Sequence, residues 1–350
     1  MSLDEHPLDG LLLVDKPGLE PAHPGTFLHS TNADQVPPSA SHDSTRLPTS
    51  HDVVQRVRRL SGQRRIGHTG TLDPMASGLL VLCLGRATRL VEYYQGHDKQ
   101  YCAEITLGFA TDTYDGEGQV VERKQVPPLD ANTVQQVVAG FVGKMEQRPP
   151  IYSALKQGGE SLHRKARRGE EVEIPTRSVT FRNIDLLEFA APDRLAIRVV
   201  STAGAYIRSL AVDIGHALGT VATLTALRRE AAGALRVEDA HTLEEIEHCA
   251  AAGTLAELLL PAGDALDLAR LDAPGMDEVR RLGHGQIVAI EATPVRNTAL
   301  HTPAAHTQVG HDMLAALVDT TGALLGIVRC LQPAQPGQPA LWKAEKWFAA

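Results

Sequence analysis

Long hydrophobic runs are absent from this chain. None of its 350 residues belongs to an apolar stretch approaching the ~18 residues that a membrane-spanning helix needs. The longest apolar runs, "GLLLV" and "GLLVLCLG", have the length of buried strands. The amino-terminal "MSLDEHPLDG" is acidic and carries no hydrophobic signal core. Cysteine is scarce: Cys83, Cys102, Cys249 and Cys330 stand far apart and form no CxxC. That argues against a zinc knuckle or a disulfide framework and predicts a reducing, cytoplasmic setting. GxSxG, HExxH and the P-loop GxxxxGK[ST] are all missing, so the ordinary hydrolase constellations have no support. The fifteen histidines, among them His23, His29 and His42, have irregular spacing. That spacing predicts no metal site. A paired-carboxylate glycosidase would need two acids on distinctive loops, whereas Asp15, Asp112 and Asp115 lie in ordinary turn contexts.

What is present supports a sizeable core. Hydrophobic residues make up 43% of the chain, and its length allows two domains, or one large domain with an appendage. The formal net charge is -8, which at face value speaks against a nucleic-acid partner. The charge is segregated, however. Gln55 to Arg65, "QRVRRLSGQRR", carries five arginines and no acid. Lys156 to Arg168, "KQGGESLHRKARR", carries five cations against one glutamate. Either run alone reads as a solvated face; together they suggest a surface for a polyanion.

The pattern of elements is mixed. Leu11 to Val14 reads as a short buried strand ending in the turn "DKPG". Residues 19–48 are rich in Pro, Ser, His and Asp and read as an insertion. Val53, Val54, Val57 and Leu60 recur at helical spacing after Ser50. Leu79 to Leu84 predicts a central strand. Tyr101, Ala103, Ile105, Leu107 and Phe109 alternate with polar positions, the mark of a half-buried strand. Ala131 to Met145 has a helical apolar pattern, and "TYDGEG" before it is a turn. Arg198 to Ser201 closes another strand. "GAYIRSLAVDIGHALG" predicts an amphipathic helix with Ile207, Leu210, Ala211, Ile214 and Leu218 inward, and Tyr206 and Arg208 in its first turn off that stripe. There is no GxGxxG and no regular βαβ repetition, so an α+β fold with a mixed or antiparallel sheet is expected. Beyond about residue 270 the segments "RRLGHGQIV", "MLAALVDTTGALLGIVRCL" and "ALWKAEKWF" look β-like and predict a small separate β module.

One stretch carries a question. "GHTGTLDP", Gly67 to Pro74, sets a single aspartate before a proline. Asp-Pro is a common helix start, with aspartate as the cap and proline at the first helical position. The alternative is a catalytic carboxylate on a shaped loop. Read together, "GHTGTLDPMASGLLVLCLGRATR", "DKQYCAEITLG", "PPIYSALKQGG" and "GAYIRSLAVDIG" resemble the TruB family of tRNA pseudouridine synthases. "DGLLLVDKPG" before them and "LTALRR" after them fit the same family, so the ordered matches run from Asp9 to Arg229. The family's "DKPxGxTSxD" is interrupted here by the insertion, with both halves intact.

The resemblance implies a pseudouridine-synthase catalytic domain over residues 1–270 and a PUA-like RNA-binding domain over 271–350. It implies conversion of uridine-55 in the tRNA T-loop to pseudouridine, with the target base flipped out of its stack. Asp73 matches the nucleophilic aspartate, which acts by covalent attack or by promoting glycal formation. Arg208 matches the arginine that pairs with it and fixes its direction. Tyr101 matches the tyrosine that stacks on the base and acts at C5. Tyr206 and Leu227 match positions lining the uracil. His68 matches a histidine that enters the stack as the base leaves. Lys16 would serve structure or a phosphate contact. Residues 152–177 resemble an RNA-gripping loop, with Gly158 and Gly159 for bending and cations for phosphates. No cofactor or metal is implied. The expected partner is tRNA, through T-loop and T-stem, bound by a monomer with no membrane and no obligate protein partner. Two other readings remain open: a tRNA-binding folding chaperone and a guide-RNA-dependent synthase.

Overall fold

The computed structural model of the chain describes residues 8–21, 47–152, 174–291, 293–296 and 309–349, with 156–157, 160–161 and 168 besides. Most of the 19–48 insertion and of the 152–177 loop therefore lies outside the described residues.

A ten-stranded mixed sheet organises the first part of the chain. Its strands are β1 (Gly10–Lys16), β2 (Ile66–His68), β3 (Ser77–Leu84), β4 (Lys99–Leu107), β5 (Gly143–Gln147), β6 (Arg177–Ala190), β7 (Arg194–Ser201), β8 (Ala222–Ala232), β9 (Leu235–Arg236) and β10 (Leu259–Leu260). The order across the sheet is β10-β1-β3-β8-β4-β7-β6-β5, with β2 beside β3 and β9 beside β8. All pairings are antiparallel except that of β8 with β3. The pseudouridine-synthase α+β expectation of a mixed sheet is met.

One face of the sheet is covered by helices: α1 (Ser50–Ser61), α2 (Ala131–Ala139), α3 (Ile207–Ala217) and α4 (Leu243–Ala252). α1 forms where its sequence asks for it. Thr49 caps the helix, Asp52 closes a reciprocal capping box, and Gly62 ends it in the left-handed region at φ 67°. Val53, Val54 and Val57 face the sheet, and the arginines fall outward. α2 stops at Ala139, short of the expected Met145. The chain crosses Gly140 and re-enters the sheet at Gly143, where φ is 120°. The apolar residues beyond 140 thus belong to a turn and an edge strand.

The other face is split. Leu11, Leu13, Leu79, Val81 and Cys83 form an apolar floor with Tyr94, Ala316, Ile327 and Phe348. Ala316 and Ile327 belong to a six-stranded sheet spanning Ala269 to Trp347, and Phe348 directly follows its last strand. The first strand of that sheet, Ala269–Asp272, straddles the 270/271 boundary anticipated from sequence texture. "RRLG", expected to be β-like, instead ends a helix, Met276–Gly283, with Asp277 and Glu278 in its first turn and Arg280 and Arg281 in its last.

One rung of the main sheet lines up residues from five strands. Lys16 stands opposite Gly78, Gly78 opposite Arg229, Arg229 opposite Tyr101, and Tyr101 opposite Val199. Neighbouring strands lie about 4.8 Å apart, so these residues form a short row on one face. Gly78 is required there. Its φ is +91°, and an added Cβ would lie 2.4 Å from the Arg229 carbonyl oxygen. Gly78→Ala should therefore cost more than ~2 kcal/mol of stability, read as a fall in the urea midpoint with an unchanged slope.

Candidate active site

The Asp-Pro turn starts no helix. The chain turns through Pro74 and Met75, closed by the Ala76 N–H donating to the Asp73 carbonyl at 3.0 Å, and enters β3 at Ser77. The capping role is thereby removed, and the Asp73 carboxylate, about one-third exposed, points to Arg208 instead.

Arg208 lies in the first turn of α3 and is 4% exposed. It was expected off the apolar stripe, where a surface position is usual, yet it is buried. Its Nη2 donates to Asp73 Oδ1 at 3.0 Å, and its Nε lies 2.9 Å from Oδ2 at an angle too bent for a hydrogen bond. Nη2 also donates to the Tyr152 carbonyl at 2.9 Å. Nη1 donates to the Thr113 carbonyl at 3.0 Å and lies 3.3 Å from Asp115 Oδ2. Every guanidinium nitrogen thus has an oxygen beside it, as a buried cation requires.

Asp115 was weighed from the sequence only as a second glycosidase acid and set aside, because "TYDGEG" reads as a turn. Nothing in its periodicity reveals that the turn folds onto Arg208. The backbone shows the constraint. Tyr114 adopts φ +66°, rare for a bulky residue. It is held by its N–H to the Thr111 carbonyl and by its own carbonyl accepting from the Leu224 N–H. That kink aims the Thr113 carbonyl and the Asp115 carboxylate at the same guanidinium. Burial pushes the Asp115 carboxyl up, as does Asp73, while the Thr113 hydroxyl and Arg208 pull it down.

Lys16 takes the structural one of the two roles expected for it. It has no exposed surface, and its ammonium donates to the carbonyls of Ala76 (2.7 Å), Pro74 (2.8 Å) and Pro17 (3.0 Å). All three N–H groups are engaged with backbone, so no donor remains for a phosphate. Lys16 holds the Asp73 turn from beneath. Leu19, assigned to the insertion, joins it there, its N–H donating to the Met75 carbonyl at 2.7 Å.

The remaining candidates are arranged around this centre. Tyr101 is half-buried at the start of β4, on the row with Lys16 and Arg229. Leu227 is 5% exposed and opposite Ala103 on the same face. Tyr206 is the half-buried N-cap of α3, one residue outside the helix rather than in its first turn. His68 ends β2, and its Nδ1 is buried with no hydrogen-bond partner. Burial pushes its pKa down, and the positive charge of Arg229 pushes it further, so the ring is neutral at pH 7. Arg229, also missed, is 2% exposed and donates to the carbonyls of Leu79 (2.7 Å) and Gly70 (3.2 Å). It ties the glycine-rich stretch to the sheet. No group of three or more His, Cys, Asp and Glu suited to a metal ion occurs among the described residues.

Lys16→Met keeps the stem and removes the donors. It should cost ~1–3 kcal/mol for the carbonyls left unpaired. Burial brings the Lys16 ammonium down to about 8 from 10.5, opposed by the charges of Glu117 and Asp73. The folded value is the lower one, so the penalty on the charged form is full below pH 8 and is released as pH rises to 10.5. The stability margin of the wild type over Lys16→Met should therefore widen across that window, measured by urea unfolding at each pH.

Comparison with known proteins identifies the family. Residues 58–207 match the family model described as TruB family pseudouridylate synthase (N terminal domain). Residues 208–267 match the tRNA pseudouridylate synthase B C-terminal domain. The tRNA pseudouridine synthase B of Xanthomonas axonopodis pv. citri is 41% identical over 301 residues, covering 85% of this chain and 87% of that protein. The Bacillus licheniformis protein of the same name is 46% identical over 224 residues, 63% of this chain and 72% of that one. Two solved structures share the fold. "Crystal Structure of a Cbf5-Nop10-Gar1 Complex" matches with TM-score 0.68 at 23% identity, covering 99% of this chain and 87% of that one. "Structure of H/ACA RNP bound to a substrate RNA containing 2'-deoxyuridine" matches with TM-score 0.67 at 21% identity, covering 100% and 88%. With Asp73 and Arg208 both inside the matched residues, the chain belongs to the TruB family of pseudouridylate synthases.

Proposed function

We propose that this protein forms pseudouridine in tRNA, acting on uridine-55 of the T-loop. The observation that carries the reading is the Asp73 carboxylate, part-exposed and held by the buried Arg208. Its chemistry fits the isomerisation. The N1–C1′ bond of uridine must break, the uracil must turn, and a C5–C1′ bond must form. The proton lost from C5 balances the proton gained at N1, so the reaction needs no external oxidant or reductant. Asp73 assists at the sugar, either by bonding to C1′ or by promoting a glycal. Tyr101 stacks on the base and receives the C5 proton. Tyr206 and Leu227 line the uracil. The neutral ring of His68 enters the stack and offsets part of the few kcal/mol needed to extrude the base.

Binding is assigned to the tRNA T-loop and T-stem, with the C-terminal six-stranded sheet as a PUA-like module and the cations of residues 152–177 as phosphate contacts. No described helix is long and apolar enough to cross a membrane, and a cytoplasmic monomer is the proposed state. Free-standing action is favoured over guide-RNA dependence by the relatives named tRNA pseudouridine synthase B. They reach 41–46% identity, against 21–23% for the structures containing Cbf5 or an H/ACA particle.

Asp73→Asn preserves shape and hydrogen bonding while removing the charge. It should fold, bind tRNA and form no detectable pseudouridine when purified protein is incubated with unmodified tRNA. Arg208→Lys should fold but turn over at least ~100-fold more slowly, because an ammonium cannot reproduce a planar fork. Near-normal turnover of the Asn variant would transfer the nucleophile's role elsewhere; full activity with no T-loop product would move the target uridine.

A further inference from the structure

Gln147 ends the edge strand β5 and is 1% exposed. Its side-chain amide makes both halves of a bridge to Tyr206. Nε2 donates to the Tyr206 carbonyl at 2.9 Å, and Oε1 accepts from the Tyr206 N–H at 2.8 Å. The next carbonyl, that of Arg148, accepts from the Ser209 hydroxyl at 2.8 Å. Across the β5–β6 ladder Gln147 stands opposite Arg177. The Arg177 guanidinium lies over the Tyr206 ring, 5.6 Å from its centroid, and Nη1 reaches the Gly204 carbonyl at 3.4 Å. A single rung therefore grips Tyr206 twice, by its backbone and by its ring.

Tyr206 is the N-cap of α3, and its own side chain makes no capping bond. What fixes the entry of the helix is the Gln147 amide. Arg208 follows two residues later, and its Nη2 divides itself between Asp73 and the Tyr152 carbonyl. A rotation at Tyr206 would carry the guanidinium off the carboxylate. Misplacements of about 1 Å cost on the order of 10²-fold in rate when geometry is catalytic.

We propose that Gln147, supported by Arg177, is a positioning residue that sets Tyr206 and, through the first turn of α3, holds the Arg208 guanidinium against Asp73. The proposal rests on the reading of Asp73 and Arg208 as the catalytic pair. An amide suits the task because it donates and accepts at once in fixed geometry. Glutamate has the same size but, ionised, only accepts. It would turn an oxygen toward the Tyr206 carbonyl.

Gln147→Glu is the direct test, with Gln147→Met (both hydrogen bonds lost, length kept) and Arg177→Gln beside it. For folded variants, single-turnover pseudouridine formation should fall at least ~10-fold, with tRNA Kd changed less than ~3-fold in the Gln147 variants; the Tyr206 groups left unpaired lower Tm in either role, so Tm does not discriminate. Combined with Arg208→Lys, the Gln147 substitution should add little further loss, because both act through one guanidinium. A merely structural Gln147 would give multiplicative losses, and that result overturns the proposal, as does a wild-type rate in Gln147→Glu. The Arg208 Nε–H resonance, followed by NMR, supplies a readout independent of turnover. It should shift in Gln147→Glu, or in Gln147→Met where the Glu variant does not fold. An unmoved resonance overturns the positioning role whether or not the chain makes pseudouridine, whereas an inactive wild type with a shifted resonance sinks only the catalytic reading.

Discussion

A buried guanidinium holds this site together. Arg208 gathers oxygens from the Asp73 turn, the Thr113–Asp115 kink and Tyr152, and the entry of its own helix is set by Gln147. Two carboxylates face one cation, so the cluster is negative before any more distant cation is counted. Such a group contributes little to stability by itself, since desolvating a charge offsets most of what pairing returns. Its value is directional. A planar fork with fixed N–H vectors accepts only certain arrangements of its partners. Segments distant in sequence are brought to one geometry because a single side chain cannot be satisfied otherwise. The strained φ of Tyr114 is consistent with that: the kink persists where the Leu224 N–H and the Arg208 N–H groups both need its carbonyls.

Beneath the guanidinium, the sheet supplies a rigid floor. Lys16, Gly78, Arg229 and Tyr101 share one rung. Two of them are buried cations that bond to backbone carbonyls, Lys16 to the Asp73 turn and Arg229 to Gly70 and Leu79. The glycine-rich stretch is therefore anchored at both ends, and the missing side chain at Gly78 lets β8 approach closely enough for the anchoring. The field of Arg229 reaches His68, whose unpartnered Nδ1 faces no competing donor or acceptor. A ring with no hydrogen bond at that nitrogen has no such contact to break, which suits the proposed exchange of places with a base.

Much of this was legible in the sequence, and the reasons differ by element. Thr49, Asp52 and Gly62 mark the ends of α1 by capping chemistry, which is local. The continuous run ending in "LLVLCL" reads as β3 because both faces of that strand are buried, one under the helices and one against the C-terminal sheet. Asp73 and Arg208 were found through an ordered set of motifs; periodicity alone would have left one as a cap and the other as a surface arginine. What was not legible is tertiary. Asp115 sits in a stretch whose composition predicts a turn and nothing more. Gln147 matters only because β5 ends where α3 begins. The helical pattern over Ala131–Met145 misled because Val142 and Met145 keep the apolar spacing after Gly140 and Gly143 have broken the helix. "RRLG" reads as β-like beside glycines, yet charges suited to both helix ends decide it.

The C-terminal sheet then takes on a mechanical role besides any RNA contact. Arg86 and Arg89 donate to the carbonyls of Phe348 and Trp347 at 2.7 Å, and Lys346 returns a bond to the Arg89 carbonyl at 2.8 Å. Arg86 and Arg89 closely follow β3, the strand whose other end enters from the Asp73 turn. With Ala316, Ile327 and Phe348 packed on Leu79, Val81 and Cys83, β3 is sandwiched along its length. A strand held on both faces and at its exit has little freedom to slide or tilt. The turn at its entrance inherits that rigidity, and Lys16 completes the restraint. The carboxylate can thus be part-exposed, as a substrate requires, while the backbone beneath it is fixed. Precision at Asp73 is in this sense a property of the whole layer stack: helices on one side, a second sheet on the other, and one guanidinium setting the direction between them.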